Sequence, residues 1–97
     1  MGTFIKLYDW TLETGLDIYE RIVLSLITQL TEGGGMGFWA GYKSMADRTG
    51  IPKTQCKAIA ARLNSIGAIT ISQGTIARKT RIILKSNPDF AKLYEDD

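Results

Sequence analysis

The residues with the clearest chemical potential are hydrogen-bond donors and cations that crowd one part of the chain. Between Lys43 and Lys85 there are nine Lys or Arg residues and a single acid, Asp47. The flanking segments are acidic, so the net charge of +2 hides this cationic block (residues 43–85). Cationic side chains neutralise phosphates, and an excess of them on one face is typical of a surface for an anionic polymer.

The residue types needed for catalysis or metal binding are scarce. The chain of 97 residues has no His, which removes the commonest metal ligand and general base. Its one cysteine, Cys56, cannot form an internal disulfide and is expected to be a small buried side chain. The carboxylates show no paired spacing. We therefore expect no enzyme activity, no metal, no cofactor and no small-molecule substrate.

The segment Tyr42–Ile69 (YKSMADRTGIPKTQCKAIAARLNSIGAI) predicts two short helices joined by a tight glycine turn. Gly50 stands where a left-handed residue ends the first helix, and Ile51 is expected to fill the turn. Pro52 suits the first position of the second helix, which we expect to run over residues 52–66. The face of the first helix that should pack inward consists of Tyr42, Met45, Ala46 and Thr49.

The second helix has two chemically distinct faces at helical spacing. The face expected in the core consists of Cys56, Ile59, Ala60, Leu63 and Ile66. The opposite face consists of Thr54, Lys57, Ala58, Ala61 and Ser65. Together with Lys53 and Gln55, this second face offers donors for phosphates and base edges, and its alanines allow close approach to a DNA major groove. Alone, it would also fit an ordinary solvated surface.

The following segment tips the interpretation towards DNA. Gly67 ends the helix, and alternating apolar and polar residues over 68–72 predict a strand. Residues 72–75 predict a turn, and residues 80–85 a partner strand with Ile82 and Leu84 facing the core. Such a hairpin carries Arg78, Lys79 and Arg81 at the start of its second strand, where they could reach phosphates or a minor groove.

The cationic block follows a predicted core helix. Asp17 and Glu20 fit a capping box at its start, and the triple glycine at 33–35 predicts its end. The GGGMG sequence has no preceding strand and no Gly-Lys-Ser/Thr, so we expect a loop rather than a nucleotide-binding turn, followed by a very short strand at residues 38–39. The apolar stripe of the helix consists of Tyr19, Ile22, Val23, Leu26, Ile27 and Leu30.

The two ends of the chain give weaker signals. Residues 4–10 fit a short strand, an irregular arm or a helical turn, and their aromatic and apolar side chains should be buried on the domain's own helices or in a homodimer. Asn87 and Pro88 predict a last short helix through Phe90, Leu93 and Tyr94. The acidic end, residues 95–97, should be solvated or lead into a linker.

The whole pattern predicts one domain of the α+β class, mainly α, with three core helices, a β-hairpin and a short C-terminal helix. Its parts are an N-terminal arm (1–16), a core (17–85), and a C-terminal helix with an acidic tail (86–97). The apolar runs are short of the roughly 20 residues that span a bilayer, and we see no secretory signal, so a cytoplasmic location is expected.

This order of elements resembles the winged-helix domains at the N-terminus of phage and plasmid replication initiators and of DnaD-like primosomal proteins. Bacterial winged-helix regulators share the same shape. The likeness covers roughly residues 17–85 and is carried by Met45-Ala46, Gly50-Ile51, the spacing of Cys56, Ile59 and Leu63, and the sequence Ile66-Gly67-Ala68-Ile69. These families usually cap the recognition helix with Ser or Thr, whereas this chain has Pro52.

The resemblance implies binding to double-stranded DNA through a recognition helix (about 52–66) and a basic wing (about 72–81). The residues implied to contact DNA are Lys43, Arg48, Lys53, Thr54, Gln55, Lys57, Ala61, Arg62, Arg78, Lys79 and Arg81. Replication initiation is the expected role, and transcriptional regulation or a winged helix used for protein contact are the alternatives. A homodimer through the arm and the first helix is also expected to be possible.

Overall fold

The computed structural model describes residues 5–95, in which three helices are followed by an antiparallel hairpin and a fourth short helix. This arrangement confirms the predicted α+β class. None of the helices in the described range is long and apolar enough to cross a membrane. The elements are a 3-10 helix at Asp9–Thr14, α1 at Ile18–Thr31, a 3-10 turn at Glu32–Gly34, α2 at Tyr42–Thr49, α3 at Lys53–Ser65, β1 at Ile69–Ile76, β2 at Lys79–Ser86 and α4 at Pro88–Lys92.

Helix α1 begins with the predicted capping box. The Glu20 N–H donates to Asp17 Oδ1 at 2.8 Å, and the Asp17 N–H donates to Glu20 Oε1 at 3.1 Å. The predicted inward stripe is correct at its centre but wrong at Tyr19, which is 48% exposed. The helix is central, in contact with α2, α3, β2 and the first 3-10 helix. Its buried sector is therefore wide, and it includes Leu24, which the stripe omits.

The turn between α2 and α3 follows the prediction closely. Gly50 has φ of 77°, its N–H donates to the Ala46 carbonyl at 2.8 Å, and Ile51 is only 2% exposed. Pro52 is the extended residue before α3 rather than the first helical residue, so α3 begins at Lys53. Ile66, predicted in the core, is 43% exposed because it caps the end of α3, where the chain leaves the helix.

The hairpin is longer than predicted, and its turn lies elsewhere. β1 and β2 pair from Ile69 opposite Ser86 to Ile76 opposite Lys79, so Ala77 and Arg78 form a two-residue turn. The predicted turn at residues 72–75 is wrong because those residues are paired strand. Gly74 suggested a turn, but a Cβ at this position would lie 2.7 Å from Ile83 Cδ1. The glycine provides space for a neighbouring side chain.

A short third strand joins the hairpin at the predicted place. Phe38 and Leu84 exchange two backbone hydrogen bonds, each of 2.8 Å. Gly37 precedes this bridge with φ of 86°, and a Cβ on it would lie 2.4 Å from the Leu84 carbonyl oxygen. Only glycine allows the loop to approach β2 this closely. The glycine-rich segment thus acts as a loop that places Phe38 against β2.

The core lies between α1, α2, α3 and the inner face of the hairpin. Burying each large apolar side chain contributes about 1.5–3 kcal/mol. The largest fully buried apolar side chains are Phe38, Leu24, Leu26, Ile27, Met45, Ile51, Leu63, Ile69, Leu84 and Val23. The prediction that Ile82 joins Leu84 in this core is wrong, since Ile82 is 46% exposed. It lies beyond the bridge to Phe38, where no other strand of the described part of the chain pairs with that edge of β2.

The N-terminal arm packs against α4 and α1. The Trp10 and Phe90 rings lie 6.4 Å apart, and Phe90 and Tyr94 lie 5.2 Å apart, so Trp10 packs on the chain itself, which is one of the two predicted alternatives. The predicted burial is wrong for Leu7, which is 40% exposed. Helix α4 ends at Lys92, so the prediction that it runs through Leu93 and Tyr94 is also wrong. Phe4 and the last two acidic residues of the predicted tail lie outside the described range.

Candidate nucleic-acid interface

Helix α3 separates its two faces as the sequence predicts. Cys56, Ala60 and Leu63 are fully buried, while the opposite face is open. The exposed residues of that face are Lys53, Thr54, Gln55, Lys57, Ala58, Ala61 and Ser65. Among the described residues, neither lysine has an ion-pair partner. The face therefore presents uncompensated positive charge beside small and hydrogen-bonding side chains.

The start of α3 adds backbone donors to this face. Its cap, Pro52, makes no side-chain hydrogen bond to the helix, and the first intrahelical bond here runs from the Cys56 N–H to the Pro52 carbonyl at 2.9 Å. The N–H groups of Lys53, Thr54 and Gln55 precede that bond, so the helix provides them with no carbonyl partner. The N-terminus of α3 thus combines free N–H donors and the positive end of the helix dipole with two neighbouring lysines. This arrangement favours the binding of an anion.

Arg62, one of the predicted DNA contacts, is engaged inside the protein. Its Nε lies 2.7 Å from Glu20 Oε2, and the Glu20 side chain is only 9% exposed. Because Glu20 also completes the capping box of α1, this ion pair ties α3 to the start of α1. The charge of Arg62 is therefore largely neutralised, and its main contribution is to position α3.

The two basic residues of α2 are in different situations. Lys43 Nζ lies 3.8 Å from Asp47 Oδ2, and both side chains are highly exposed, so this pair is weak. Arg48 lies over the Phe38 ring, with Cζ 5.5 Å from the ring centre. A cation held over an aromatic face is less free to reorient. Lys43 remains available to a phosphate, whereas Arg48 is partly committed to the core.

The hairpin tip carries charge in an unusual backbone conformation. Ala77 and Arg78 have φ of 52° and 65°, a left-handed conformation that glycine or asparagine adopts more readily. Both Arg78 and the adjacent Lys79 are exposed, and neither has an ion pair within residues 5–95. The tight turn therefore extends two free cations beyond the body of the protein.

Arg81 lies in a groove that sequence reasoning did not find. The groove has a volume of about 240 Å³ and is lined by Trp39, Gly41, Tyr42, Thr80, Arg81, Ile82 and Leu84. Arg81 is half-buried, and its Nε has no hydrogen-bond partner in the described part of the chain. Burial raises the pKa of Tyr42, so its hydroxyl stays neutral. Trp39 belongs to the predicted short strand at residues 38–39, and no local pattern links it to Arg81.

Thiol and metal chemistry find no support at this surface. Burial raises the pKa of the Cys56 thiol, with a smaller opposing effect from the Thr49 hydroxyl, so the reactive thiolate is disfavoured. Within the described residues, no group of three or more His, Cys, Asp or Glu side chains could hold a metal ion. The chemistry available at α3 and the hairpin is binding through cations and hydrogen-bond donors.

Comparison with known proteins gives no relative from which a function could be transferred. The sequence matches no protein-family model, and neither the search of curated proteins nor that of solved structures finds a match. The geometry and charge of this chain are therefore what indicates its function.

Proposed function

We propose that this protein binds double-stranded DNA as a winged helix, with α3 as the recognition helix and the β1–β2 hairpin as the wing. The observation that carries the proposal is the set of exposed cations on α3 and at the hairpin tip, chiefly Lys53, Lys57 and Arg78, that have no ion pair among residues 5–95. The chain order of α1, the bridging residue Phe38, α2, α3 and the hairpin supports the same proposal.

In the proposed complex, α3 lies in the major groove with its open face towards the base edges. Thr54, Gln55 and Lys57 read bases, and Ala58 and Ala61 allow the helix to approach closely. Lys53 and the free N–H groups at the start of α3 hold a phosphate.

The hairpin supplies the second contact of the complex. Arg78 and Lys79 reach the adjacent backbone or minor groove from the tip, and Lys43 adds a weaker phosphate contact from α2. No covalent step is involved.

The biological role we propose is replication initiation of a phage or plasmid, with transcriptional regulation through the same DNA contacts as the alternative. One winged helix reads few base pairs, so a second copy would add specificity. Exposed leucines at the arm and α4 suit such contact: Leu7, Leu12 and Leu93 are 40%, 63% and 73% exposed. We propose that two copies meet through this side. The same leucines favour a protein-contact module as the second candidate function.

Fluorescence anisotropy with a labelled mixed-sequence duplex tests the DNA proposal. We expect affinity to fall steeply with salt, with log K declining by about 0.9 per log salt for each neutralised phosphate. The variant Lys53→Ala/Lys57→Ala/Arg78→Ala should bind at least about tenfold more weakly. The slope of its log K against log salt concentration should be smaller in magnitude by about two to three.

A matched control removes cations from the arm and α4. Lys6→Ala/Lys92→Ala also lowers positive charge, but its sites lie on the arm and α4, so affinity should stay within about twofold of wild type. Circular dichroism establishes that both variants are folded. Equal weakening by the two variants, or no binding by wild type at low salt, would contradict the proposal and favour the protein-contact function.

A further inference from the structure

The groove beside Arg81 is bounded by an unpaired strand edge. Leu84 exchanges both its backbone hydrogen bonds with Phe38. In an antiparallel strand, alternate residues direct their peptide groups to the same edge, so those of Ile82 and Thr80 also face that side. Next to Ile82 and Thr80, the segment after Phe38 has already left β2 and runs into α2. Within residues 5–95, neither Ile82 nor Thr80 makes a backbone hydrogen bond outside the hairpin. The groove therefore has an open polar edge and unoccupied space.

The walls of the groove combine flat apolar surface with positive charge. Trp39 is 36% exposed, Ile82 is 46% exposed and Tyr42 is half-buried, so an aromatic and apolar surface faces solvent. Arg81 is the charged residue of the lining, and no acid is among the lining residues. A larger depression at the arm is lined by three acids, Asp9, Glu13 and Glu95. The groove beside Arg81 thus favours a ligand with a flat ring and a negative charge.

We propose that this groove holds one unpaired base of a DNA strand, stacked on Trp39 with its phosphate near Arg81. Bases present a π-face for stacking on an aromatic side chain, and their backbone supplies the negative charge. A volume of about 240 Å³ is below the roughly 300–1,000 Å³ of typical small-molecule sites and suits a single base.

This inference rests on the proposed DNA-binding function and specifies its substrate as a duplex that ends in a single strand. The groove and the hairpin tip share β2, since Arg81 is three residues from Arg78. A strand held by the wing can therefore continue into the groove. A peptide strand added to the open edge of β2 is the competing occupant, but the cationic block around the groove favours a nucleic acid.

The test compares a blunt duplex with the same duplex carrying a short oligothymidine extension, in a 5′ and a 3′ version. Anisotropy should show that at least one extended duplex binds more tightly than the blunt one, by about fivefold or more. A factor of about five is the lower end of the affinity gain expected from stacking one base on an aromatic side chain. Trp39→Leu should remove this preference and leave affinity for the blunt duplex within about twofold.

A second measurement follows the emission of Trp39 itself, in a variant whose groove residues are unchanged. The chain has two tryptophans, Trp10 and Trp39, so Trp10→Phe leaves Trp39 as the sole tryptophan emitter and Trp39→Phe leaves Trp10. The extended duplex should quench emission in the first variant more than the blunt duplex does, and emission in the second should be unaffected by the extension. Trp10 packs against Phe90 on the arm side and is the matched control.

The outcomes separate the two proposals. Equal affinity for all duplexes, with no extra Trp39 quenching by the extension, would overturn the groove inference while salt-dependent binding of the blunt duplex keeps the proposed function. If the blunt duplex fails to bind, the proposed function falls. In that case, quenching of Trp39 by single-stranded oligothymidine alone would support the groove inference, and its absence would overturn it.

Discussion

The side of the molecule formed by α3 and the hairpin differs from the side formed by the arm, the start of α1 and α4 in how its charges are used. At the arm, Glu32 accepts a hydrogen bond from the Tyr8 hydroxyl, and where the start of α1 meets α3, Glu20 pairs with Arg62. On the other side, Lys53, Lys57 and Arg78 have no ion pair among the described residues. Between Lys43 and Lys85 nine cations stand beside a single acid, and such an excess of one sign of charge favours an anionic ligand.

The largest expected effect comes from acidic substitutions on the two sides. Substitutions on one side should weaken self-association only, and those on the other should weaken duplex binding only. Leu12→Asp/Leu93→Asp places carboxylates in the exposed apolar surface of the arm and α4, and should weaken self-association at least about tenfold. Ala58→Asp/Ala61→Asp adds the same charge to the open face of α3, and should weaken duplex binding at least about tenfold through repulsion from phosphates.

Sedimentation equilibrium and anisotropy measure the two quantities for both variants. Self-association of Ala58→Asp/Ala61→Asp should match that of wild type. If wild type sediments as a monomer at all concentrations, or if both variants lose the same property, the assignment of the two sides to different partners is wrong.

A smaller effect is expected where the two sides meet, at Glu20. Glu20→Ala removes the second half of the capping box and the partner of Arg62, and should lower the free energy of unfolding by about 1–2 kcal/mol. Asp47→Ala breaks the exposed pair with Lys43 and should change it by less than about 0.5 kcal/mol. Urea titrations compare the two. A change for Asp47→Ala as large as that for Glu20→Ala would contradict the structural role given to the Arg62 pair.

The smallest effect is a pH dependence confined to the arm side. Burial, and then the hydrogen bond to Glu32 and its charge, raise the pKa of Tyr8 to about 12. The folded state thus favours the neutral phenol, so this stabilisation is complete below pH 10 and is lost as pH rises towards 12. Tyr8→Phe should show a shallower fall in unfolding free energy between pH 10 and 12.

Tyr19→Phe, which alters an exposed ring on α1, is the control for this pH measurement. Its decline over the same interval should follow that of wild type. Urea unfolding at several pH values provides the comparison. If the unfolding free energy of Tyr8→Phe fell as steeply as that of wild type between pH 10 and 12, the contact with Glu32 would not contribute to the loss of stability at high pH.

Sequence reasoning succeeded where a structural feature depends on a few adjacent residues. The capping box of Asp17 and Glu20, the left-handed Gly50 and the two faces of α3 all follow from local hydrogen bonding or helical spacing. It failed where the outcome depends on distant packing. Tyr19, Ile66 and Ile82 fit apolar patterns, yet they are 48%, 43% and 46% exposed.

The candidate site was also predictable only in part. The exposure of Lys53 and Lys57 follows from the period of α3, because helical spacing alone assigns a residue to one face. The engagement of Arg62 by Glu20 and the placement of Trp39 beside Arg81 join residues more than 40 positions apart. No local signal reports such pairs, so they became visible only with the tertiary structure.

The backbone at the hairpin tip has a consequence for any attempt to make this protein more robust. A left-handed conformation at Arg78 costs free energy that glycine would not. Replacing Arg78 with glycine should therefore strengthen the turn and at the same time delete a cation that we place on DNA. Stability and affinity are in opposition at this one residue, so selection for thermal tolerance alone would tend to erase the charge at the tip.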